Sequence, residues 1–171
     1  YFDLALLSME DRKRKNFDHP SSFDFNQLES DLITLKNNKN INVPQYDYKT
    51  HTRKKGTKEI IQTKIILIEG ILSLYEKSIR KFMNLKIYLD ISNEFRKKIR
   101  IERDKRHRAR TDKSILLQYK NSVNPMYLKY VKPTSKFADI IIKDNNYHND
   151  SFNILSKEIN QILNQNANPK R

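Results

Sequence analysis

Residues 64–70 (KIILIEG) contain four consecutive large aliphatic side chains, from Ile65 to Ile68. The stretch does not alternate apolar with polar residues and is short for a helix, so it predicts a strand buried on both faces of a parallel sheet. Glu69 follows at the carboxyl end of this strand, where open α/β sheets bind their ligands. Glu69 is therefore a candidate metal or phosphate-side group, and a carboxylate that merely faces solvent is the alternative.

Three other segments have the pattern of capped helices. Ser8 begins a short polar helix, and Asp24 caps a helix with one apolar stripe. A last amphipathic helix begins at Ser151, and a disordered tail is expected over residues 165–171. Pro20 disfavours helical geometry at the residue before it, so an extended or turn segment precedes it. The apolar residues are Phe25, Leu28, Leu32 and Leu35 in the second helix and Phe152, Leu155, Ile159, Ile162 and Leu163 in the last.

The rest of the pattern alternates strands with helices. Alternating residues from Val43 onward predict a β-ribbon with a basic tip at residues 53–56. Apolar strands are expected at residues 85–90 and 138–142. Helices are expected around residues 77–83, from Glu94 onward, from Thr111 or Asp112 through Tyr119, and between Pro125 and Pro133. Such alternation favours βαβ units, and therefore an α/β fold with a mostly parallel sheet.

Composition narrows the class of protein. The 171-residue chain has no cysteine, which excludes disulfides, thiol catalysis and cysteine-based zinc sites and favours a cytoplasmic protein. Its four histidines are scattered and do not have metal-ligand spacing. No apolar run approaches the roughly 20 residues of a membrane helix. We therefore expect one soluble globular domain.

Positive charge is concentrated in one predicted helix. The formal net charge is +14, and residues 96–110 contain nine Lys or Arg against two acids, a surplus of seven. Three arginines of this helix share one face while Phe95 and Ile99 lie on another, which predicts that the arginines do not pack in the core. The concentration is typical of a polyphosphate site or a nucleic-acid surface. The three arginines are Arg96, Arg100 and Arg103.

Several separated strings then resemble one family, in the same order along the chain. They are NFDHPSSFD at 16–24, PQYDYKTHTRK at 44–54, IEGIL at 68–72, RKKIRIERDKRHRAR at 96–110 followed by Gln118 and Tyr119, and KPTSKFADIII at 132–142. Together they resemble the uridine kinase (uridine-cytidine kinase) family from Tyr1 to about Ile162. The resemblance implies a P-loop NTPase-like three-layer fold, with a β-ribbon flap over the nucleoside site and a helical lid.

The resemblance also implies a reaction. A uridine kinase transfers the γ-phosphoryl group of ATP or GTP to the 5′-hydroxyl of uridine or cytidine, with Mg²⁺, to give UMP or CMP for pyrimidine salvage. Asp18 matches the carboxylate that binds the ribose 2′- and 3′-hydroxyls. An ionised carboxylate only accepts hydrogen bonds, which suits a vicinal diol. Tyr46 and His51 match the residues that read the pyrimidine edge, and Phe17 and Tyr48 match the aromatic wall around the base. Without the motif, Tyr46 and His51 would be interpreted as ordinary ribbon residues.

The resemblance also implies roles for residues of the basic helix. Arg100 resembles the arginine that bridges ribose and phosphates, and Arg103 and Arg108 resemble lid arginines that neutralise the transferred phosphoryl group. Arg110 and Gln118 resemble nucleoside-side contacts at the base of the lid. Guanidinium groups suit such charge stabilisation because they bind phosphate through two parallel hydrogen bonds. Glu69 is implied to orient Mg²⁺, directly or through water.

The chain departs from the family pattern at two points. Ala109 stands where the lid usually has a glycine. In addition, the sequence contains no G-x-x-x-x-G-K-[ST] phosphate loop, and motif spacing would place the family's general-base aspartate about two residues before Tyr1. We therefore expect residues 1–164 to form a partial kinase domain that lacks the P-loop strand and helix.

Two alternatives remain open at this stage. The arginine-rich helix alone is also typical of a basic module that binds RNA or another polyanion. A related P-loop kinase such as phosphoribulokinase is the other alternative, although Tyr46 and His51 argue against it because a sugar phosphate needs no pyrimidine readers. The resemblance further implies a homotetramer that is inhibited by pyrimidine triphosphates.

Overall fold

A computed structural model describes residues 1–108, 110–143 and 150–167. These residues form helices and two small β-sheets of two strands each. The predicted α/β class is thus confirmed at the level of its elements. No helix in these ranges is long and apolar enough to span a membrane.

The first two helices begin at the predicted caps. Helix α1 (Met9–Arg14) follows Ser8, whose hydroxyl accepts a hydrogen bond from the backbone of Asp11 at 3.1 Å. Helix α2 (Phe25–Lys36) follows Asp24, which accepts one from the backbone of Gln27 at 3.1 Å. These side chains satisfy backbone N–H groups that have no partner within the helix. Two members of the predicted apolar stripe of α2 are buried, namely Leu32 and Leu35.

Strands β1 (Ile41–Asp47) and β2 (Thr52–Ile60) form the predicted antiparallel ribbon. The prediction of its tip at residues 53–56 is wrong, because the turn lies at residues 48–51. The carboxylate of Asp47 accepts a hydrogen bond from the backbone of Lys49 at 2.8 Å, which stabilises a turn at that point.

The residues predicted as a tip instead form an irregularity within β2. Pro44 pairs with Thr57 and Tyr46 pairs with Arg53, so residues 54–56 face only one residue of β1. Gly56 has a φ of 85°, which glycine adopts without the steric cost of a side chain. The glycine that indicated a turn therefore marks a bulge, a second structure that needs positive φ.

The second sheet pairs β3 (Ile87–Asp90) in parallel with β4 (Ile140–Lys143). Helix α3 (Lys77–Arg80) precedes β3, and α4 (Asn93–Arg108) follows it. Both predicted strands and their parallel pairing are confirmed. They are not buried on both faces, since Leu89 is exposed to 49% while the adjacent Tyr88 is buried.

The predicted central strand at residues 64–70 is wrong for this structure. No strand is present there, and Leu67 is exposed to 82%. A parallel strand is stabilised by hydrogen bonds to its neighbours, and β3 and β4 pair with each other rather than with this segment. The apolar composition favoured a buried strand, but the segment pairs with none of the described strands and most of its side chains are exposed.

The chain between the two strands of the second sheet is largely helical. Helix α5 (Asp112–Gln118) is capped by Thr111, as predicted. The helical path continues through wide turns at Tyr119–Val123 and Tyr127–Val131 on either side of α6 (Asn124–Met126), and then through a 3-10 helix. The 3-10 helix spans Lys132–Phe137. This path covers one face of the small parallel sheet.

The core lies between that sheet and this helical path. Its buried cluster consists of Leu72, Leu74, Tyr88 and Val131, against which partly buried aromatic residues pack. Helix α7 (Asp150–Ala167) runs three residues into the tail predicted at 165–171, and residues 168–171 lie outside the described ranges. Phe152 of its apolar face is exposed to 72%.

Candidate active site

The loop that carries Asp18 is fixed by side chains from distant parts of the chain. Asn16 accepts hydrogen bonds from the backbone of Asp18 at 3.1 Å and from the hydroxyl of Ser122 at 3.0 Å. The Nε2 atom of His19 lies 2.9 Å from the hydroxyl of Tyr130. Asp18 therefore extends from an anchored turn, which agrees with the extended segment predicted before Pro20.

Asp18 faces the basic helix. Its Oδ1 atom lies 3.7 Å from Nη1 of Arg100, and both side chains are largely buried, at 14% and 15% exposure. The two residues and Arg103 line a cavity of about 400 Å³. The apolar lining includes Leu89 and Ile99. Arg96 lines the cavity as well. A carboxylate and three guanidinium groups thus meet beside an apolar wall, in a space large enough for a small molecule.

The aromatic residues predicted around a base come together at the turn of the ribbon. The rings of Phe17 and His51 stack at 4.7 Å between centroids, with an angle of 15°. Tyr46 lies 5.4 Å from Tyr48 and 5.0 Å from Tyr1, measured between ring centroids. The four predicted residues therefore form one cluster with Tyr1.

Two polar groups of this cluster have unusual surroundings. The hydroxyl of Tyr46 is buried and has no hydrogen-bond partner among the described residues, and burial raises the pKa of Tyr46 to about 12. His51 has a φ of 57°, which is uncommon for a residue other than glycine. Burial, and then the positive charge of Arg108, lowers the pKa of His51. Both groups are thus neutral near pH 7, and each has hydrogen-bonding capacity for a ligand.

The arginines predicted to bind phosphate, together with Arg110, converge on one carboxylate. Asp104 is fully buried and lies within 4.0 Å of four guanidinium groups. They belong to Arg100, Arg103, Arg108 and Arg110. Burial lowers the pKa of Arg100, while Asp18 and Asp104 oppose that shift. The positive charge of the helix is thus collected beside Asp18 rather than spread over a solvated face.

Gln118 connects α5 to the same cluster. Its Oε1 atom accepts hydrogen bonds from Arg110 and, at 3.4 Å, from Nη2 of Arg100. The Ser114 hydroxyl accepts a second bond from Arg110 at 2.8 Å. The pairing of Arg110 with Gln118, which the motif placed together at the base of the lid, is therefore present as a direct contact.

The prediction that the arginines avoid packing is wrong for Arg96 and Arg100, whereas Arg103 is exposed to 46%. Phe95 and Ile99 are exposed to 42% and 46%, whereas Arg100 is largely buried. The guanidinium carbon of Arg96 lies 3.4 Å from the ring centroid of Tyr127. The charged face of α4 turns inward because carboxylates and an aromatic ring meet it there, which compensates for the loss of water.

The ribbon and the basic helix also contact each other. The guanidinium carbon of Arg108 lies 5.3 Å from the ring centroid of Tyr48, within the range of a cation–π interaction. Burial also raises the pKa of the Tyr1 phenol to about 12, and Asp18 contributes to the shift while Arg108 opposes it. The aromatic cluster therefore contacts the arginine cluster through Tyr48 and Arg108, and Asp18 contacts it through Arg100.

Glu69 lies apart from these contacts in the structure. It is exposed, at the end of the segment that does not form a strand. No group of three or more acidic or histidine side chains in the described part of the chain could hold a metal ion. Its carboxylate is an oxygen donor of the kind that Mg²⁺ binds, and Mg²⁺ often takes one or two protein carboxylates together with phosphate and water.

Sequence reasoning missed two residues of the site. Tyr1 lies at the centre of the aromatic cluster, with ring centroids 4.6 Å from Phe23 and 5.6 Å from Phe17. Asp104 was counted only as an acid within a basic run. Its spacing of four residues from both Arg100 and Arg108 was a usable signal for ion pairs on one helix face. Ala109, the predicted departure in the lid, lies outside the described residues.

Comparison with known proteins agrees with this geometry. Residues 1–149 match the phosphoribulokinase / uridine kinase family, and the chain belongs to that family. A uridine kinase of Clostridium perfringens strain 13 is 40% identical over 163 residues, which cover 95% of this chain and 78% of that protein. The uridine kinase of Clostridium novyi is 40% identical over 166 residues, with 97% and 80% coverage, respectively. That of Lactobacillus helveticus is 37% identical over 165 residues, with 96% and 78% coverage.

Proposed function

We propose that this protein is a nucleoside kinase that transfers the γ-phosphoryl group of ATP or GTP to the 5′-hydroxyl of uridine or cytidine. The observation that carries the proposal is that Asp18, the neighbour in sequence of Phe17 in the aromatic cluster, lies 3.7 Å from Arg100 of the arginine cluster. The aromatic cluster supplies rings and neutral polar groups, and the arginine cluster supplies positive charge. A nucleoside has its base, its diol and its 5′-hydroxyl in the same order.

Asp18 binds the ribose in this proposal. Its carboxylate accepts hydrogen bonds from the 2′- and 3′-hydroxyls, and the guanidinium of Arg100 lies 3.7 Å away, where it helps to orient the carboxylate. The carboxylate has no proton to donate, so two neighbouring hydroxyl donors suit it well. A nucleoside without the 2′-hydroxyl leaves one of these acceptor positions unfilled and binds less well.

The ribbon binds the base. Phe17 and Tyr48 supply aromatic surfaces, and the Tyr46 hydroxyl finds in the pyrimidine edge the partner that the described residues do not give it. His51 is neutral near pH 7, so it presents one donor and one acceptor. A hydroxyl and a neutral imidazole serve either the carbonyl of uracil or the amino group of cytosine.

Arg100, Arg103 and Arg108 stabilise the transferred phosphoryl group. Four arginines and the two carboxylates of Asp18 and Asp104 leave a formal surplus of two positive charges at the cluster. Charge stabilisation and positioning are the main contributions of a protein to phosphoryl transfer. Arg110 and Gln118 hold the base of the lid next to the nucleoside.

Family membership supports a P-loop NTPase fold, with the ribbon as a flap and α4 to α5 as a lid. When bound, the nucleoside triphosphate would supply the phosphoryl group, and Mg²⁺ would neutralise part of its negative charge. Glu69 is the residue proposed to face the metal. A homotetramer and a cytoplasmic location remain predictions. The relatives named above are uridine kinases, so phosphoribulokinase activity is not favoured.

The test is uridine-dependent release of ADP by the protein expressed from its complete reading frame. We expect turnover that produces UMP and that falls at least 100-fold in Asp18→Asn. Asp31→Asn is the matched control, because Asp31 only accepts a hydrogen bond from Gln27 of the same helix, and an asparagine accepts it equally. A folded protein without uridine turnover would contradict the proposal. RNA binding that weakens steeply with salt would then favour the polyanion-binding alternative.

A further inference from the structure

Asp104 is the only charged residue in the described part of the chain that is fully buried. It lies within the arginine-rich helix, next to Arg103 and four residues after Arg100, both of which line the cavity. A buried carboxylate is strongly unfavourable unless charges and hydrogen bonds compensate it. Its presence among residues already proposed to act on phosphate therefore requires a physical explanation.

The contacts of Asp104 are unequal. Arg103 makes a close double contact, with Nη2 at 2.8 Å and Nε at 2.9 Å from Oδ1. The other three arginines stand further away, beyond hydrogen-bond distance. Nε of Arg108 is 3.6 Å from Oδ1, Nε of Arg100 is 3.6 Å from Oδ2, and Nη1 of Arg110 is 3.9 Å from Oδ2. Asp104 thus fixes one guanidinium and attracts three others without binding them.

The looser contacts leave hydrogen-bonding capacity unused. Oδ2 of Asp104 and Nε of Arg100 are both buried without a hydrogen-bond partner among the described residues, although they face each other. A shortening of less than about 1 Å would bring them to the usual N–H···O distance of about 2.9 Å. The arginines are therefore held near one another, and Arg100 keeps one donor that no described residue accepts.

Asp104 also reduces the repulsion within the cluster. Four guanidinium groups that surround one point repel each other, and a central carboxylate interacts favourably with each of them. The backbone carbonyl of Asp104 additionally accepts a hydrogen bond from the backbone N–H of Arg110 at 3.4 Å, which draws the residue after the helix back to it. One residue thus brings together arginines from α4 and from the segment before α5.

We propose that Asp104 is a positioning residue that gathers Arg100, Arg103 and Arg108 into the geometry that binds the phosphoryl group in transfer and holds Arg110 beside them at the base of the lid. The inference rests on the proposed function, because it concerns the arginines of the same site. Asp104 itself touches neither nucleoside nor phosphate. It acts through the arginines, so its loss should lower kcat much more than it raises the uridine KM, because Asp18 and the ribbon, which bind the nucleoside, remain in place.

The first experiment compares Asp104→Asn, Asp104→Glu and wild type in the full-length protein. For Asp104→Asn we expect kcat to fall 10- to 100-fold with the uridine KM within twofold, and for Asp104→Glu an intermediate kcat. Asp112→Asn is the control, because Asp112 pairs with Lys105 at 3.0 Å and both side chains are more than half exposed. A wild-type kcat in Asp104→Asn or in Asp104→Glu, or an equal rise of uridine KM, would overturn the inference. If Asp104→Asn does not fold, Asp104→Glu decides.

The second experiment does not require turnover. Calorimetric titration with inorganic pyrophosphate separates a positioning role from a simple charge effect, because the two predict opposite changes in pyrophosphate affinity. Removal of a negative charge alone strengthens anion binding, whereas loss of the arginine geometry weakens it. We expect Asp104→Asn to bind pyrophosphate at least threefold more weakly than wild type, and equal or tighter binding would overturn the inference. If the wild type shows no uridine turnover, the proposed function fails while this titration still decides the role of Asp104.

Discussion

The buried hydroxyl of Tyr46 is the clearest sign of a missing ligand at the scale of single residues. A polar group that is buried without a partner costs about 1–3 kcal/mol, and such groups are rare in the absence of a function. Most other contacts of the ribbon stabilise the protein, whereas this hydroxyl stabilises it only when another molecule is present. Stability and substrate binding should therefore respond in opposite ways to its removal.

Tyr46→Phe tests this difference. We expect the free energy of unfolding without substrate to stay equal or rise, since an unsatisfied group is removed. The uridine KM should rise about 5- to 10-fold, which corresponds to one hydrogen bond of about 1 kcal/mol. Chemical denaturation and steady-state kinetics measure the two quantities.

Tyr88→Phe is the matched control for this substitution. The Tyr88 hydroxyl lies 3.0 Å from that of Tyr127 in the core, away from the ribbon. Its loss should lower the free energy of unfolding and leave the uridine KM unchanged. A Tyr46→Phe variant that behaves like this control would show that the Tyr46 hydroxyl has no ligand.

His51 gives a pH dependence with a defined sign. Its pKa is lowered from the ordinary 6.5, first by burial and then by Arg108. The unfolded chain therefore binds the proton more readily, so this residue contributes stability that is present above pH 6.5 and is lost as the pH falls toward the lowered pKa. Protonation also converts an acceptor into a donor, so the uridine KM should rise over the same range.

A profile of uridine KM between about pH 5 and pH 8 measures this effect. We expect a flat region above the ordinary pKa of histidine and a rise below it. His51→Gln, which stays neutral at every pH, should have a higher KM that does not change with pH. A rise that persists in His51→Gln would assign the titration to another group.

At the scale of elements, the ribbon is positioned by side chains rather than by strand pairing alone. Arg12 of α1 donates hydrogen bonds to the carbonyls of Ala5 at 2.8 Å, Leu7 at 2.9 Å and Thr50 at 3.1 Å. Thr50 lies in the turn beside His51. In strand β2 of the ribbon, Arg53 pairs with Asp24, the residue that caps α2, at 2.8 Å. The orientation of the base-binding residues thus depends on helices outside the ribbon.

Arg12→Lys tests this dependence. A lysine carries the same charge but cannot reach three carbonyls with a planar fork, so we expect a rise of about 3- to 10-fold in uridine KM and a loss of about 1–2 kcal/mol in stability. Arg14→Lys is the control, because Arg14 is exposed to 70% on the same helix and pairs only with acids of its own turn. An unchanged KM in Arg12→Lys would mean that the ribbon turn holds its shape without α1.

The elements also show what sequence patterns can predict. Caps such as Ser8, Asp24 and Thr111 were identified correctly, because a helix start is decided by a few neighbouring residues. The turn of the ribbon was misplaced because Gly56 serves a bulge equally well. The inward face of α4 was misjudged because periodicity reports where apolar residues lie. It does not report that Asp104 and Asp18 compensate buried arginines.

At the scale of the whole molecule, whether an apolar segment becomes a strand depends on a neighbouring strand that is distant in sequence, which the local pattern does not reveal. Residues 64–70 have the composition of a buried strand, yet they are not part of a ladder in this structure. The site behaved differently. Phe17 belongs to one string and Tyr46 and His51 to another, and their rings lie in one cluster in the structure, whereas the role of Asp18 beside them stays a prediction. Chemistry that depends on a shared ligand was therefore easier to predict than the sheet.

The central claim is that Asp18 binds the ribose diol of a pyrimidine nucleoside. The most direct measurement is kcat/KM for uridine and for 2′-deoxyuridine, in wild type and in Asp18→Asn. In wild type, removal of the 2′-hydroxyl should cost about 10- to 100-fold, because a hydrogen bond to a charged group contributes about 1.5–3 kcal/mol. In Asp18→Asn the same removal should cost less than about threefold, since the charged acceptor is gone. An equal loss in both proteins would contradict the account, because the 2′-hydroxyl would then be bound elsewhere.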